Sequence, residues 1–349
     1  MSSSLDTARP ASPARSRQPG LLLAGDIGGT KTALGVYAAE AGPRAPLIEA
    51  EFPSAKYSSL GVIVREFLKS ARLPVAHAAF AVAGPVIGGA SKVTNLSWSL
   101  EIGALTQELG LESVHLMNDL EAIAHAMTVL DSTDLYTLNV GDPIVGGART
   151  VIAPGTGLGE AFLIYDGTRY RAFPSEGGHA SFAPTNELEI GLLNYLRKQH
   201  HHVSVERACS GPGLYDIYQY LRDSGHTAES AELTGAITAA ESAPALISAA
   251  GLRPNPDPLS RAALELFVAI LGAEAGNLAL KVLSTGGIYL AGGIPCRNRP
   301  VLEEGRFMRA FTAKGRFREL LSRIPVHVVG LRAALIGAAH RGLELVESQ

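Results

Sequence analysis

The chain is poor in cysteine: it has two, Cys209 and Cys296, far apart and outside any C-x-x-C. Two such residues cannot make a disulfide framework or a four-cysteine zinc site, and they fit a reducing compartment. An excess of one charge is also missing, since 30 basic and 33 acidic residues are mixed along the chain for a formal net charge of −3. That balance leaves no electrostatic footprint for nucleic acid or an anionic membrane, so a small neutral or anionic ligand is the expected partner. Neither common phosphate loop occurs. There is no G-x-x-x-x-G-K-[ST], and no G-x-G-x-x-G leading from a strand straight into a helix, which excludes a plain dinucleotide-binding dehydrogenase. Residues 1–20 lack the apolar stretch of a secretory signal and, rich in Ser, Ala, Pro and Arg, read as a disordered tail.

What the chain does hold is glycine, 38 of 349 residues, beside 46% hydrophobic and only 18% charged residues. This is material for a large core, a length that allows two domains, and strands ending in tight turns. Strand-like Leu47–Phe52, helical Leu60–Ala71, strand-like Ala78–Ala83, a helix ending at Leu109 with Ser99 as its cap, and strand-like Ser113–Met117 alternate in order. Such alternation means a mainly parallel sheet whose ligands gather at the carboxyl ends of strands. Helical runs to about Tyr220, at Leu259–Leu283 and at Leu331–Leu345, and a late strand Pro325–Val329 that returns the chain to its first domain, complete the reading.

The rest is organised around residues 21–37, L-L-L-A-G-D-I-G-G-T-K-T-A-L-G-V-Y, two apolar strands joined by a turn. Gly28 and Gly29 can take positive φ and leave no Cβ in the way of backbone amides closing on an anion. Asp26 could hold a hydrated Mg²⁺, and Thr30 and Lys31 add a hydroxyl and a cation suited to a polyphosphate. The same residues would serve a hairpin turn with no ligand. Residues 150–165, T-V-I-A-P-G-T-G-L-G-E-A-F-L-I-Y, repeat the pattern, and A-F-A-V-A-G-P (79–85) is echoed by I-Y-L-A-G-G-I (288–294). The repetition predicts two related α/β halves with nucleotide between them.

Asn118-Asp119 ends a strand and opens a helix. The helix dipole there favours the anion, so Asp119 is the candidate base toward a hydroxyl nucleophile, although Asn and Asp would equally serve as an N-cap. Glu176 and His179, in the irregular loop S-E-G-G-H, and Glu206 add carboxylates and an imidazole of the kind that satisfy the hydroxyls of a sugar ring. A His-plus-carboxylate metal site is the competing reading of that loop. The run His200–His202 reads as solvated surface at a helix end.

In order and spacing, D-I-G-G-T-K, N-D, P-G-T-G-L-G, S-E-G-G-H and E-R-A-C-S-G-P-G resemble bacterial ATP-dependent glucokinases of the hexokinase/actin-like ATPase superfamily over residues 21–345. The resemblance implies an α/β, two-domain actin-like (hexokinase-type) fold, with mixed sheets flanked by helices and a ligand cleft between the domains. Residues 21–130 plus about 320–349 would form the small domain and 131–319 the large one. It implies transfer of the ATP γ-phosphoryl group to the 6-hydroxyl of D-glucose, with Asp119 as base and Asn118, Glu176, His179, Glu206 and Asn95 on the sugar. Asp26, Gly28, Gly29, Thr30 and Lys31 would form the first phosphate segment, with Mg²⁺ on Asp26 through water. Gly155, Thr156 and Gly157 would form the second, and Ala291, Gly292, Gly293 and Ile294 the adenosine segment. A cytoplasmic homodimer is also implied. The neighbouring repressor/kinase family carries a Cys-rich zinc motif after Glu-x-Gly-His; this chain has neither that nor an N-terminal helix-turn-helix, which places it with the zinc-free branch. The rivals are a kinase for another hexose or an N-acetylhexosamine, and a non-catalytic sugar- or nucleotide-sensing protein of the same fold.

Overall fold

The computed structural model describes residues 20–94, 96–240 and 242–348. Asn95 and, apart from Gly20, the tail expected over 1–20 lie outside the described residues.

The first half of the chain contains β1 (Leu21–Ile27), β2 (Lys31–Tyr37), β3 (Ile48–Pro53), β4 (Val75–Val82), β5 (Val86–Ile87), β6 (Ala90–Lys92), β7 (Ser99–Glu101) and β8 (Ser113–Asn118). Helices α1 (Leu60–Ala71), α2 (Ile102–Leu109) and α3 (Asp119–Ala126) lie between and after them. The main sheet runs β3-β2-β1-β4-β8, with β1, β4 and β8 parallel and the hairpin β1-β2 and strand β3 antiparallel. β5, β6 and β7 make a small antiparallel sheet of their own. Ser99 belongs to it, paired with Lys92, so it does not cap α2; that helix starts after Glu101, whose side chain makes no cap bond.

The second half contains β9 (Leu135–Asn139), β10 (Arg149–Pro154), β11 (Leu158–Tyr165), β12 (Tyr170–Ser175), β13 (Gly287–Leu290) and β14 (Val326–Val329), ordered β12-β11-β10-β13-β14-β9. Its first five positions repeat the order of the first sheet: a hairpin, a third antiparallel strand, then two parallel strands reached by crossovers. The duplication read from the two glycine hairpins, and from the echo between 79–85 and 288–294, is therefore a duplication of topology. β14 belongs to this second sheet, and the chain rejoins the first sheet only with its last helix.

The helices of the second half are α4 (Glu187–Leu196), α5 (Val205–Ala208), α6 (Gly211–Asp223), α7 (Ala231–Ala239), α8 (Ala243–Gly251), α9 (Pro258–Val282), α10 (Gly293–Arg297), α11 (Arg299–Glu303), α12 (Arg306–Thr312), α13 (Arg318–Ser322) and α14 (Ala333–Glu347).

Side-chain alternation along the strands sorts the core into layers. Leu23 and Ile27 of β1 face α1 and α2, whereas Leu22 and Ala24 face a middle layer of α3 and α14 that is shared with Val151, Ala161 and Leu163 of the second sheet. The opposite face of the second sheet packs on α6, α8 and α9. α9 is long and apolar enough to cross a bilayer, with a mean hydropathy of 1.6 over its best window, but 78% of that window is buried inside the protein. It is a core helix, and its small-residue face takes the backbone of Phe307 and Phe311 of α12 against Gly272 and Gly276.

Candidate active site

The turn after β1 is braced from β3. Gly28 N–H donates to Lys31 O (3.0 Å), the buried Ser54 hydroxyl donates to Gly28 O (2.7 Å), and Ser54 N–H donates to Thr30 O (3.1 Å). Ser54 Oγ also lies 2.9 Å from Thr32 Oγ1. Neither Gly28 nor Gly29 has positive φ, contrary to the sequence expectation. At Gly28 the need for glycine is close approach instead, since a Cβ would lie 3.0 Å from the Lys31 carbonyl. Lys31 leans outward onto Glu51, Nζ to Oε1 2.6 Å, with both side chains half exposed.

Of three neighbouring strand ends, β1 and β8 carry the acids and β4 lies between them. Asp26 pairs in register with Ala81 of β4, and the next residue of β4, Val82, pairs with Asn118 of β8. Burial first, and then the charge of Asp119, push the Asp26 carboxyl up to about 7, with Lys31 pulling the other way. Asp119 is the first residue of α3; its Oδ1 accepts Leu120 N–H at 2.9 Å. Burial raises its pKa, and the backbone donors and Asn118 oppose that rise without cancelling it. The helix terminus therefore does not win outright as the sequence suggested: desolvation outweighs the dipole and makes Asp119 a stronger base than a free aspartate. Asn118 is the N-cap, accepting Leu120 N–H (2.9 Å) and donating from Nδ2 to Gly84 O (3.0 Å), so its amide ties α3 to the end of β4.

α3 also faces the second half. Leu120 packs on Gly159 of β11, and the adjacent Leu158 N–H donates to Glu206 Oε2 at 2.9 Å. Glu206 comes within 3.9 Å of His179 Nδ1, and His179 Nε2 lies 3.7 Å from Glu176 Oε2. The three side chains predicted to hold a sugar thus form one line, running from Glu206 (24% exposed) through His179 (62%) to Glu176 (93%). The loop that bears them is stitched to the segment before α5 by Phe182 N–H to Val203 O (2.9 Å) and Val205 N–H to Ala180 O (2.9 Å). His202 Nε2–H donates to His179 O at 3.0 Å, so the last histidine of the 200–202 run is a brace of this loop rather than idle surface. Gly177 and Gly178 are required by packing: a side chain at either would overlap the Glu160 carboxylate or the Leu158 carbonyl. Among the described residues no group of three or more His, Cys, Asp or Glu is placed to hold a metal ion.

A cavity of about 390 Å³ opens between the two glycine turns. Thr30 of the first turn and Gly155 and Thr156 of the second line it, together with Gly293 and Ile294. Gly155 O accepts Gly211 N–H (2.7 Å), which sets the start of α6 against the second turn, and Gly211 and Pro212 are part of the wall. Pro244 and Ser248 of α8 and Arg297 and Asn298 after β13 close it. These last residues were missed from sequence, because α8 carries no motif and joins the site only through tertiary packing. Ala291 is fully buried, its N–H on Ile152 O (2.9 Å), and does not line the cavity; Gly292, at φ 86°, turns the chain into α10. Gly157 lies against Glu206, where a Cβ would be 2.5 Å from Oε2, and so makes room for that carboxylate.

A family model described as glucokinase matches residues 23–344. The chain is 43% identical over 334 residues to the glucokinase of Nostoc punctiforme, covering 91% of this chain and 98% of that protein. It is 41% identical over 342 residues to the glucokinase of a Synechocystis species, covering 91% and 96%. Among solved structures, the glucokinase of an Antarctic psychrotroph superposes with a TM-score of 0.77 at 31% identity, covering 93% of this chain and 99% of that one.

Proposed function

The chain belongs to the glucokinase family, and on that footing we propose that it transfers the γ-phosphoryl group of ATP to the 6-hydroxyl of D-glucose with Asp119 as the base. The observation that carries this reading is the position of Asp119. It stands at the end of β8, electrostatically coupled to Asp26 at the end of β1, on a helix whose next residue touches the strand held by Glu206. A desolvated carboxylate linked in this way to a phosphate-type turn and, through α3, to a row of sugar-type side chains supports the reading.

Glu176, His179 and Glu206, with Asn118 and Asn95, hold the ring hydroxyls and present O6 to Asp119. As O6 attacks the γ-phosphorus its proton passes to Asp119, the bond from the γ-phosphorus to the bridging oxygen breaks, and ADP departs. The two turns supply backbone N–H groups to the phosphates, and their work is alignment and charge neutralisation rather than covalent chemistry. Asp26 fits a Mg²⁺ held through water: it is a desolvated oxygen donor beside a second carboxylate, and among the described residues no protein cage competes for the ion. With Asp26 holding it through water, Mg²⁺ would supply charge neutralisation at the phosphates. Approach of the two halves excludes the water that would otherwise take the phosphoryl group. A cytoplasmic homodimer belongs to the same reading, on the family resemblance, and light scattering on purified protein tests the assembly.

Steady-state comparison of glucose, mannose, fructose and N-acetylglucosamine, each with ATP and with polyphosphate, tests the assignment. Glucose with ATP should give the highest kcat/KM. A higher value for another sugar transfers the reading to a different hexose kinase, and sugar binding without ADP formation transfers it to a sensor.

A further inference from the structure

A second cavity, of about 400 Å³, lies beneath the two segments by which the chain passes from one main sheet to the other. Residues 127–134 lead from α3 to β9, and residues 330–332 lead from β14 to α14. The passages are tied together by Gly330 N–H donating to Asp134 O at 2.9 Å. Both line the cavity, with Leu130 from the first and Leu331 and Arg332 from the second, and Tyr136 of β9 and Ile336 of α14 line it as well. The Arg299 guanidinium carbon lies over the Tyr136 ring, 4.1 Å from its centroid, and among the described residues its ion pair is to Glu303, through Nε at 3.3 Å. A guanidinium has five donors, so its terminal amino groups remain for a ligand. Asp134, the one acid of the lining, is held by Arg44 at 3.0 Å and by Asp131 N–H at 3.1 Å.

We infer that this cavity binds a small amphipathic organic anion, an apolar or aromatic body carrying one carboxylate or phosphate, and that its occupancy opposes glucose binding. The body lies against Leu130, Leu331 and Tyr136, and the oxyanion meets Arg299. The coupling follows from position. A ligand favours the arrangement in which its site exists. In this arrangement the Glu176 and His179 side chains are 93% and 62% exposed, not closed on a sugar, and both passages between the sheets border the cavity. Whatever holds the passages as they stand resists closure, and by linkage glucose must weaken the anion by the same factor. Only this coupling rests on the glucokinase reading; binding of the anion does not.

The test titrates 1-naphthoate and 1-naphthyl phosphate into the full chain and follows naphthyl fluorescence. One saturable site per chain is expected, and the tighter of the two probes tells carboxylate from phosphate. Arg299→Gln should weaken it about tenfold or more while leaving probe-free glucose turnover unchanged, and saturating glucose should weaken it about 5-fold or more. The probe should also slow the reaction of Cys296, which lines the cavity, with N-ethylmaleimide, whereas Cys209 is fully buried. Absence of saturation, unchanged affinity in Arg299→Gln, indifference to glucose, or complete displacement by ATP would each overturn the proposal. Probe binding in a chain that turns over no glucose would sink the functional reading and leave the site standing.

Discussion

His202 holds His179 by its backbone: the Nε2–H of one donates to the carbonyl of the other at 3.0 Å, fixing the residue that sits between Glu176 and Glu206. His202 itself is exposed and touches neither acid in that row, so its role is positioning. His202→Ala should raise KM for glucose several-fold with little change in kcat, since the lost bond is worth about 0.5–1.5 kcal/mol and acts on the loop rather than on the transferring group. Initial-rate kinetics over a glucose series check this; an unchanged KM removes His202 from the site.

On the proposed mechanism, turnover depends on Asp119. Asp119→Asn keeps the size and the hydrogen bond to Leu120 N–H but cannot take a proton, and kcat should fall by about 10²- to 10⁴-fold. Circular dichroism and thermal melting should show the fold retained, and glucose should still bind. Near-normal ADP release from this variant refutes the base assignment.

How much of this was legible beforehand depends on how local the cause is. The two hairpins and the strand echo were readable because apolar runs punctuated by glycine specify a strand–turn–strand unit over about 15 residues, and the common order of the two sheets follows from using that unit twice. Asp119, Glu176 and His179 could be singled out as candidates because their motifs are short and contiguous, and the structure sets His179 between Glu176 and Glu206. Ser99 was misread because a three-residue edge strand carries no period, so a serine before a helical run looks like a cap. Ser54, Glu51 and His202 could not be found, since each acts on residues 20 or more positions away and only the tertiary pairing of β2 with β3, or of the loop with the segment before α5, brings them together. The rise in the Asp119 pKa was hidden for a related reason: helix position is written in the sequence, whereas desolvation is a property of the packed core.

Ser54 should prove important to the nucleotide side. Its hydroxyl, fully buried like that of Thr32, joins Thr32 Oγ1 to the half-buried Gly28 O, so Ser54→Ala takes a partner from a carbonyl and a hydroxyl at the first turn. An orphaned buried group costs about 1–3 kcal/mol, and that cost falls on the turn. KM for ATP should rise, KM for glucose should hold, and Ser54→Thr should recover part of the loss. A variant with unchanged ATP kinetics would show that the turn keeps its shape without the brace.

Asp26 gives stability an unusual pH dependence. Its folded pKa is raised from 3.8 to about 7, so between those values the folded state keeps a proton that the unfolded chain has released. Stability therefore falls as pH climbs through that window. Mg²⁺ with ATP should flatten the fall by favouring the ionised form, EDTA should restore it, and Asp26→Asn should lessen it. Melting temperatures from pH 5 to 8, with and without Mg²⁺, check the sign; a rise contributed by this group over the same range contradicts it.

Glu160 shares the sign but not the remedy. It is fully buried on β11 beneath Gly177, both carboxylate oxygens lack partners, and burial with the nearby charge of Glu274 raises its pKa to about 7, Lys281 opposing. Above about pH 7 the folded protein must carry this charge unpaired, a cost the unfolded chain does not bear. Glu160→Gln keeps the volume and removes the charge, so it should raise the melting temperature by several degrees at pH 8 and by much less at pH 5, near the foot of the window from 4.5 to about 7. Mg²⁺ with ATP should not reproduce that gain, because Glu160 lies under the sugar loop rather than beside the phosphate turn. If the variant melts lower than the parent chain at pH 8, the carboxylate has a partner inside the core and the assignment of an orphaned charge is wrong.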